Sequence, residues 1–303
     1  MLIESSTATL VGAIGMFALA CSWIWRKSAT ERLAQIGWIG VGLYFFNLSW
    51  TYLEHDDSVL VALCAMTLPL AIGMAWWETH HQPHQREALY WARGTVAFAG
   101  GPYLLIAYIP WLSILAIWFV ASQSAWLLGF AGGESIEIGD TWVNATSGRV
   151  TWEEWDGNRW FSTDFTGEYA FQSELILADG GVIGINFVLA CTALQSMVLF
   201  IGAISVLNLH WKQRVRALIL VIPLIHFLNV FRNAGLIWMH MTYTEWDLWG
   251  MSVFEFGHTY VARFFSLLAM FLIALIMFEI LPKMHRNILT LIEPFSRDKN
   301  TSP

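Results

Sequence analysis

Apolar runs of about 20 residues, the length that crosses the hydrocarbon core of a bilayer as a helix, recur along the whole chain. They are Thr7–Trp25, Leu33–Leu53, Ser58–Trp77, Ala88–Phe130, Gly181–Leu209, Ala217–Met241 and Met251–Leu281. Only 13% of the 303 residues are charged, whereas soluble domains carry about a quarter. The sequence therefore predicts an all-α polytopic membrane protein with about seven to eight transmembrane helices.

The charged residues between these runs predict the orientation of the chain. Lys and Arg collect in residues 26–32, 86–93, 212–216 and 283–286, whereas acids collect in 54–57, 132–180 and 245–247. Cytoplasmic loops are the ones enriched in Lys and Arg, so we expect the N-terminus outside the plasma membrane and the C-terminus inside. Residues 132–180 hold ten acids and two arginines, a net charge of −8 within a total of −7, and are expected outside.

The run Ala88–Phe130 does not fit the alternation of basic and acidic loops directly. It is long enough for two crossings, which would place the acidic segment in the cytoplasm and invert every later helix. The charges require an odd number of crossings here. We therefore expect an interfacial or re-entrant piece near Ala88–Ala99, followed by one full span.

The acidic segment is expected to carry structure of its own. Residues 141–146 and 149–153 alternate between apolar and polar side chains across Ser147-Gly148, the pattern of a β-hairpin. Its tryptophans would suit a membrane–water interface. The predicted fold therefore includes one long, partly β-hairpin extracytoplasmic loop. Asn144 begins an Asn-Ala-Thr glycosylation tripeptide, a pattern that also occurs by chance, and its glycosylation stays open.

The three cysteines all lie in apolar runs, so the sequence has no disulfide framework. Cys21 and Cys64 have no polar neighbours and are expected to be core residues. Cys191 differs, because polar residues lie beside it in what is predicted to be a membrane helix. These are Thr192, Gln195 and Ser196, of which Gln195 is expected one turn away on the same face.

Two arginines lie in the later apolar runs, where an arginine is costly and usually marks function. Cys191 lies 21 residues before Lys212, Arg232 lies 16 after Arg216, and Arg263 lies 20 before Lys283. At about 1.5 Å per residue, the three fall within roughly 8 Å of one another along the membrane normal, in the outer half of the bilayer. The sequence therefore predicts one site that combines a thiol with two guanidinium groups.

This combination suits nucleophilic chemistry. A cysteine attacks as thiolate, which burial in lipid disfavours and a nearby guanidinium favours. A second arginine can bind a carboxylate or stabilise an oxyanion, but arginine cannot act as a general base. His258, five residues further out than Arg263, could serve as that base or as the acid for a leaving amine.

Each residue also has a simpler explanation. A lone cysteine in a helix is usually a core residue, and an arginine here could pair with Glu255. His258 could be an interfacial hydrogen-bonding residue, and Asn229 and Asn233, which flank Arg232, could bond neighbouring helices. Gln195 could belong to the site or could bond a neighbouring helix. The three histidines His80, His81 and His84 could hold a metal but are expected to be solvated, so we expect no metal and no cofactor.

Taken together, the motif Ala190-Cys191-Thr192-x-x-Gln195-Ser196, the pair Arg232-Asn233 and a helix with His258 and Arg263 resemble the exosortase/archaeosortase family. The acidic composition most resembles the archaeosortases of salt-loving archaea. The resemblance is specific over Gly181–Leu281, about a third of the chain, and the earlier helices add only a similar number of apolar runs.

The resemblance implies a membrane-embedded cysteine transpeptidase of the outer membrane face. Its substrates would be the C-terminal tails of surface proteins such as the S-layer glycoprotein, each with a Pro-Gly-Phe signal, a membrane helix and a basic end. Removal of the tail would be linked to attachment of the protein to a membrane lipid. The resemblance makes Cys191 the nucleophile and Arg232 the second member. The third catalytic residue of the family is Arg or His, and the depth along the membrane normal favours Arg263 over His258.

Two other functions stay open from the residues alone. Arg232 and Arg263 could bind an anionic solute in a transporter or channel, or the thiol could belong to a plain intramembrane protease that releases its product to water. No feature indicates a nucleic-acid partner. The expected organisation is 1–131, N-terminal helices; 132–180, acidic loop; 181–282, catalytic helices; and 283–303, cytoplasmic tail.

Overall fold

The computed structural model describes residues 5–25, 30–54, 58–145, 148–161, 170–248 and 250–293. Its helices are α1 (Ser5–Trp25), α2 (Thr30–Glu54), α3 (Ser58–His80), α4 (Arg86–Tyr108), α5 (Pro110–Phe130), α6 (Leu194–Ser205), α7 (Trp211–Thr242), α8 (Val253–Phe256), α9 (Ala262–Ile280) and α10 (Pro282–Ile292). The chain forms two compact units, one of residues 1–104, 198–218 and 277–303, the other of 105–197 and 219–276.

Five helical segments in the described residues are long and apolar enough to cross a membrane: Thr7–Trp25, Ser58–His80, Pro110–Phe130, Trp211–Thr242 and Val253–Ile280. The prediction of a helical membrane protein is thereby confirmed. The second unit also contains a four-stranded sheet, where the sequence predicted a β-hairpin within an otherwise all-α fold.

In the first unit, α1 and α2 pack closely through glycines. A Cβ atom on Gly15 would come within 2.9 Å of the carbonyl oxygen of Gly37 and within 2.8 Å of the amide nitrogen of Val41. Helices without a strong hydrophobic drive between them associate through such close backbone contact.

A buried ion pair joins α3 to α4. The Nε of Arg93 donates to Oε1 of Glu78 at 2.8 Å, its Nη2 donates to Oε2, and the Nε1 of Trp38 donates to the same Oε1 at 2.8 Å. Both charged side chains are almost fully buried. Residues 88–99, where an interfacial or re-entrant piece was expected, form the buried first half of the continuous helix α4, and Arg93 finds its carboxylate inside the unit.

The second unit contains strands β1 (Ile136–Ala145), β2 (Gly148–Thr151), β3 (Phe171–Leu177) and β4 (Val182–Phe187). They form an antiparallel sheet in the order β2-β1-β3-β4. Strands β1 and β2 pair where the hairpin was predicted, with Trp142 opposite Thr151 and Ala145 opposite Gly148. Asn144 lies in β1, whereas Thr146 of its tripeptide lies outside the described residues.

The predicted membrane helix Gly181–Leu209 is wrong in its first half. Residues 182–187 form β4, in which Ile183, Ile185 and Phe187 are buried and the alternate residues are exposed. This alternation of period two is a strand pattern, and β4 completes the sheet of the acidic segment. The helix α6 begins only at Leu194.

The predicted span Met251–Leu281 corresponds to the helical segment Val253–Ile280. A two-stranded ribbon of β5 (Asp247–Leu248) and β6 (Met251–Ser252) precedes α8. A π-helical turn, Gly257–Val261, then joins α8 to α9. Such turns are rare and are frequently found at functional sites.

Candidate active site

Cys191 lies in the turn that leads from strand β4 into helix α6. The turn is a short 3-10 helix, Leu189–Thr192, and the next residue, Ala193, has a left-handed backbone with a φ of 55°. Ala193 is the one non-glycine residue with positive φ in the described part of the chain. A strained backbone of this kind has an energetic cost and is concentrated at active sites. A strand, a tight turn and a helix also present the nucleophile in other enzyme folds.

The hydroxyl of Thr192 holds this turn together. It donates to the carbonyl oxygen of Leu189 at 2.7 Å and accepts from the amide of Leu194 at 3.3 Å. Because Thr192 is buried and its hydroxyl has both of these partners, we assign it to the geometry of the turn rather than to substrate binding.

Two asparagines of α7 hold the backbone of Cys191. The Nδ2 of Asn229 donates to the Cys191 carbonyl oxygen at 2.8 Å, and the Nδ2 of Asn233 donates to the same oxygen at 2.9 Å. Both are buried and are four residues apart, so they share one face of the helix. Their role was open from the sequence alone, and the structure places both side chains against Cys191.

Arg232 is charged and has no carboxylate partner among the described residues. It interacts electrostatically with Cys191 and with Arg263, so the structure brings together the three residues that the depth argument had grouped. Its Nε is buried without a hydrogen-bond partner in the described part of the chain. Unpaired buried donors are rare, and the charge of this side chain acts on the Cys191 thiol.

The Cys191 thiol lies outside the membrane-spanning helices, and three influences act on its pKa. Burial raises the pKa most strongly, while a backbone hydrogen bond with Val188 and the charge of Arg232 lower it. The net effect is a pKa above the ordinary value for cysteine. Arg232 is the charged side chain that favours the thiolate.

Arg263 and His258 lie in the last helical segment of this unit, and Arg263 interacts electrostatically with Arg232. Arg263 is the second residue of α9 and His258 lies in the π-helical turn. The ring of His258 stacks on that of Phe254 at 5.8 Å. Glu255 is engaged nearby in a capping box with Ser252, whose amide donates to its carboxylate at 2.9 Å.

The structure does not bear out the expected placement of Gln195 beside Cys191. Because Cys191 precedes α6 and Gln195 lies in its first turn, the two do not share a helical face. Gln195 is exposed and Ser196 is half-buried. The alternation over residues 182–187 was the signal that could have shown the helix to begin later.

One residue that the sequence analysis missed is His240, in the last turn of α7. Its Nε2 lies 2.9 Å from the carbonyl oxygen of Ile183 in β4. Together with the two asparagines, it fixes β4 and the following turn against one side of α7. The periodicity of an apolar helix contains no signal for such a contact with a distant strand.

The remaining candidates lie elsewhere. Cys21 and Cys64 are buried within α1 and α3, as core residues would be. The rings of His80 and His81 lie against carbonyl oxygens of α3, and His84 pairs with Glu293 at 3.0 Å. Among the described residues, no three His, Cys, Asp or Glu side chains are grouped as a metal site.

The site thus combines a thiol on a rigid turn with a guanidinium group that has no carboxylate partner in the described part of the chain. A second guanidinium group interacts electrostatically with the first. Comparison of the whole chain with protein-family models, with curated proteins and with solved structures finds no match.

Proposed function

We propose that this protein is a membrane-embedded cysteine transpeptidase of the plasma membrane, with its site facing outward. It removes the C-terminal tail of surface proteins of the S-layer glycoprotein type, and a membrane lipid accepts the cleaved chain. The substrate tail combines a short Pro-Gly-Phe signal with a membrane helix and a basic end. The resemblance of the residues around Cys191, Arg232 and Arg263 to the exosortase/archaeosortase family motivates this proposal.

One observation carries the proposal. The carbonyl of Cys191 is held by two buried asparagines while the adjacent Arg232 has no carboxylate partner among the described residues. A backbone held this firmly limits the positions of the thiol, and preorganised geometry is what nucleophilic catalysis requires. A merely structural cysteine needs neither the double hydrogen bond nor the unpaired cation.

In the proposed reaction, the sulfur of Cys191 attacks the carbonyl carbon of the scissile peptide bond. The C–N bond breaks, a thioester forms, and the tail departs as an amine that takes up the proton lost by the thiol. A hydroxyl or amine of the acceptor lipid then attacks the thioester, and the thiol regains a proton. Arg232 favours the thiolate, and Arg263 is assigned the oxyanion of each tetrahedral intermediate.

The proposal is tested by mass spectrometry of the C-terminus of a candidate surface protein. The protein should end at a lipid-linked residue in cells that contain the wild-type chain and keep its full tail with Cys191→Ala. A cleaved C-terminus without lipid would instead support hydrolysis, and an intact tail in both cells would contradict the proposal.

A transporter or channel for an anionic solute is the second candidate, favoured by the absence of a carboxylate partner for Arg232 among the described residues. A substitution of Cys191 distinguishes the two functions. A transporter should tolerate Cys191→Ser, which conserves size and polarity, whereas a thiol enzyme should lose nearly all activity, because serine here lacks an activating base.

A further inference from the structure

Helix α5 has a length and composition suited to crossing the membrane, but both of its ends belong to the same acidic domain. At its start, the amide of Trp111 donates to the carbonyl oxygen of Arg159 at 3.2 Å, and the Trp111 ring packs edge-on against Trp152 at 5.2 Å. At its end, the chain passes from Phe130 into strand β1 at Ile136.

Strand β1 runs back along α5 between these two ends. In its middle, the Nε1 of Trp118 donates to the hydroxyl of Thr141 at 2.8 Å. The helix is about 31 Å long at about 1.5 Å per residue. Strand β1 has 10 residues and is about as long at about 3.3 Å per residue, so the sheet accompanies the helix over most of its length. An open sheet edge and irregular loops do not occur in contact with lipid tails.

Exposed carboxylates lie at both ends of this helix-and-sheet layer. Glu153, Glu154 and Asp156 are exposed near Arg159, while Glu134 and Glu137 are exposed where α5 leads into β1. Charged side chains are costly in hydrocarbon. A crossing of the bilayer by α5 would place one of these acidic ends on the cytoplasmic side and draw the sheet through the hydrocarbon.

The two faces of α5 differ in the way expected for a helix that lies between protein and lipid. Buried residues recur at 114, 117, 121 and 128, whereas exposed apolar residues recur two positions away, which is about 200° around the helix. The exposed stripe is Leu112 (40%), Leu115 (51%), Phe119 (60%), Trp126 (67%) and Phe130 (78%).

The membrane-spanning part of the same unit lies beside this stripe. The ring of Phe119 stacks on that of His226, in the middle of α7, at 5.2 Å, and the His226 Nε2 lies 2.7 Å from Oε1 of Gln123. α7 is long and apolar enough to span. A row of exposed large apolar side chains next to a spanning helix is adjacent to lipid rather than to water.

We infer that α5 does not cross the membrane but lies in the outer leaflet, with both ends in the extracytoplasmic domain and its exposed stripe against lipid. The crossing between the basic residues 86–93 and the acidic domain is then assigned to α4, which has 23 residues but is less apolar than the five segments named above. One crossing is the odd number that the charges require. The inference does not depend on the proposed enzymatic activity.

The test uses single cysteines in the full chain with Cys21, Cys64 and Cys191 replaced by alanine. Ile109→Cys marks the start of α5, Ser135→Cys marks the residue before β1, and Gln213→Cys is the cytoplasmic control. A membrane-impermeant maleimide applied to intact cells should label the first two positions, and should label the control only after permeabilisation.

Labelling of Ser135→Cys in intact cells together with labelling of Ile109→Cys only after permeabilisation would overturn the inference, as would labelling of both only after permeabilisation. If Ile109→Cys reacts in neither condition, a second variant that carries Trp111→Cys and Arg159→Cys tests whether the start of α5 lies in the extracytoplasmic domain. Mild oxidation of intact cells should join these two cysteines in one chain, and a failure to join them would overturn the inference.

Discussion

Asn233 donates a hydrogen bond from its side-chain amide to the carbonyl oxygen of Cys191 at 2.9 Å, and Asn229 donates a second to the same oxygen. Cys191 is thus held through its backbone by α7, the helix that also carries Arg232. The relative position of the thiol and the guanidinium therefore depends on two amides that do not react.

The first prediction concerns these amides. Loss of one hydrogen bond costs about 1 kcal/mol, so Asn229→Ala or Asn233→Ala should lower processing about five-fold, and the double variant should lower it by more than the product of the two. The measurement is the fraction of substrate processed in cells at matched expression. Asn208→Ala, at an exposed position outside the site, is the matched control and should process normally.

The second prediction concerns the thiol. Cys191→Ala should abolish processing and Cys191→Ser should leave little, whereas Cys21→Ala and Cys64→Ala should stay active because those thiols are buried in other helices. The length of the substrate, measured on a gel, shows whether each of the four variants has removed the tail. Normal processing by Cys191→Ala would exclude the thiol mechanism.

The third prediction concerns the guanidinium groups. Lysine keeps the charge of arginine but loses its planar fork of donors. Arg232→Lys should therefore be nearly as damaging as Arg232→Ala, and Arg263→Lys should also be severe. His258→Ala should leave partial activity, because His258 lies five residues from Arg263, about 7.5 Å further out along a helix.

The same processing assay separates the two candidates for the third catalytic residue. An inactive His258→Ala together with an active Arg263→Ala would show that histidine fills this role and that the depth argument chose the wrong residue.

The fourth prediction concerns pH. Burial raises the pKa of Cys191 and the charge of Arg232 lowers it, so alkylation of Cys191 should increase with pH through a midpoint above that of an ordinary cysteine. Arg232→Ala removes the lowering influence and should shift the midpoint to still higher pH. The measurement is the alkylation rate against pH in the chain with Cys21→Ala and Cys64→Ala. A midpoint unchanged by Arg232→Ala would contradict the proposed pairing.

The fifth prediction concerns the buried pair of Glu78 and Arg93. Removal of one partner leaves an uncompensated buried charge, which typically costs about 3–5 kcal/mol. Glu78→Ala should therefore strongly lower thermal stability in detergent, while Glu78→Leu combined with Arg93→Met should recover much of the loss. Glu293→Ala, which breaks the exposed pair with His84, should change stability little, since exposed pairs contribute about 0–1 kcal/mol.

The apolar runs and the positions of Lys and Arg were sufficient to predict a helical membrane protein and to group Cys191, Arg232 and Arg263. Helix length, charge and depth along the membrane normal follow from residue order, because a helix advances by a constant rise. The hairpin around Gly148 was likewise predictable, because its alternation and turn residues are local.

Contacts between distant residues were decided by the tertiary structure. The alternation of residues 182–187 is a short signal, and pairing with β3 decided that these residues form a strand rather than the start of a helix. Arg93 could be placed in a buried helix only because Glu78 lies opposite it, 15 residues earlier in sequence. The two hydrogen bonds to the carbonyl of Cys191 come from asparagines that are 38 and 42 positions away in sequence. Composition and periodicity carry no information about which carbonyl a buried side-chain amide will contact.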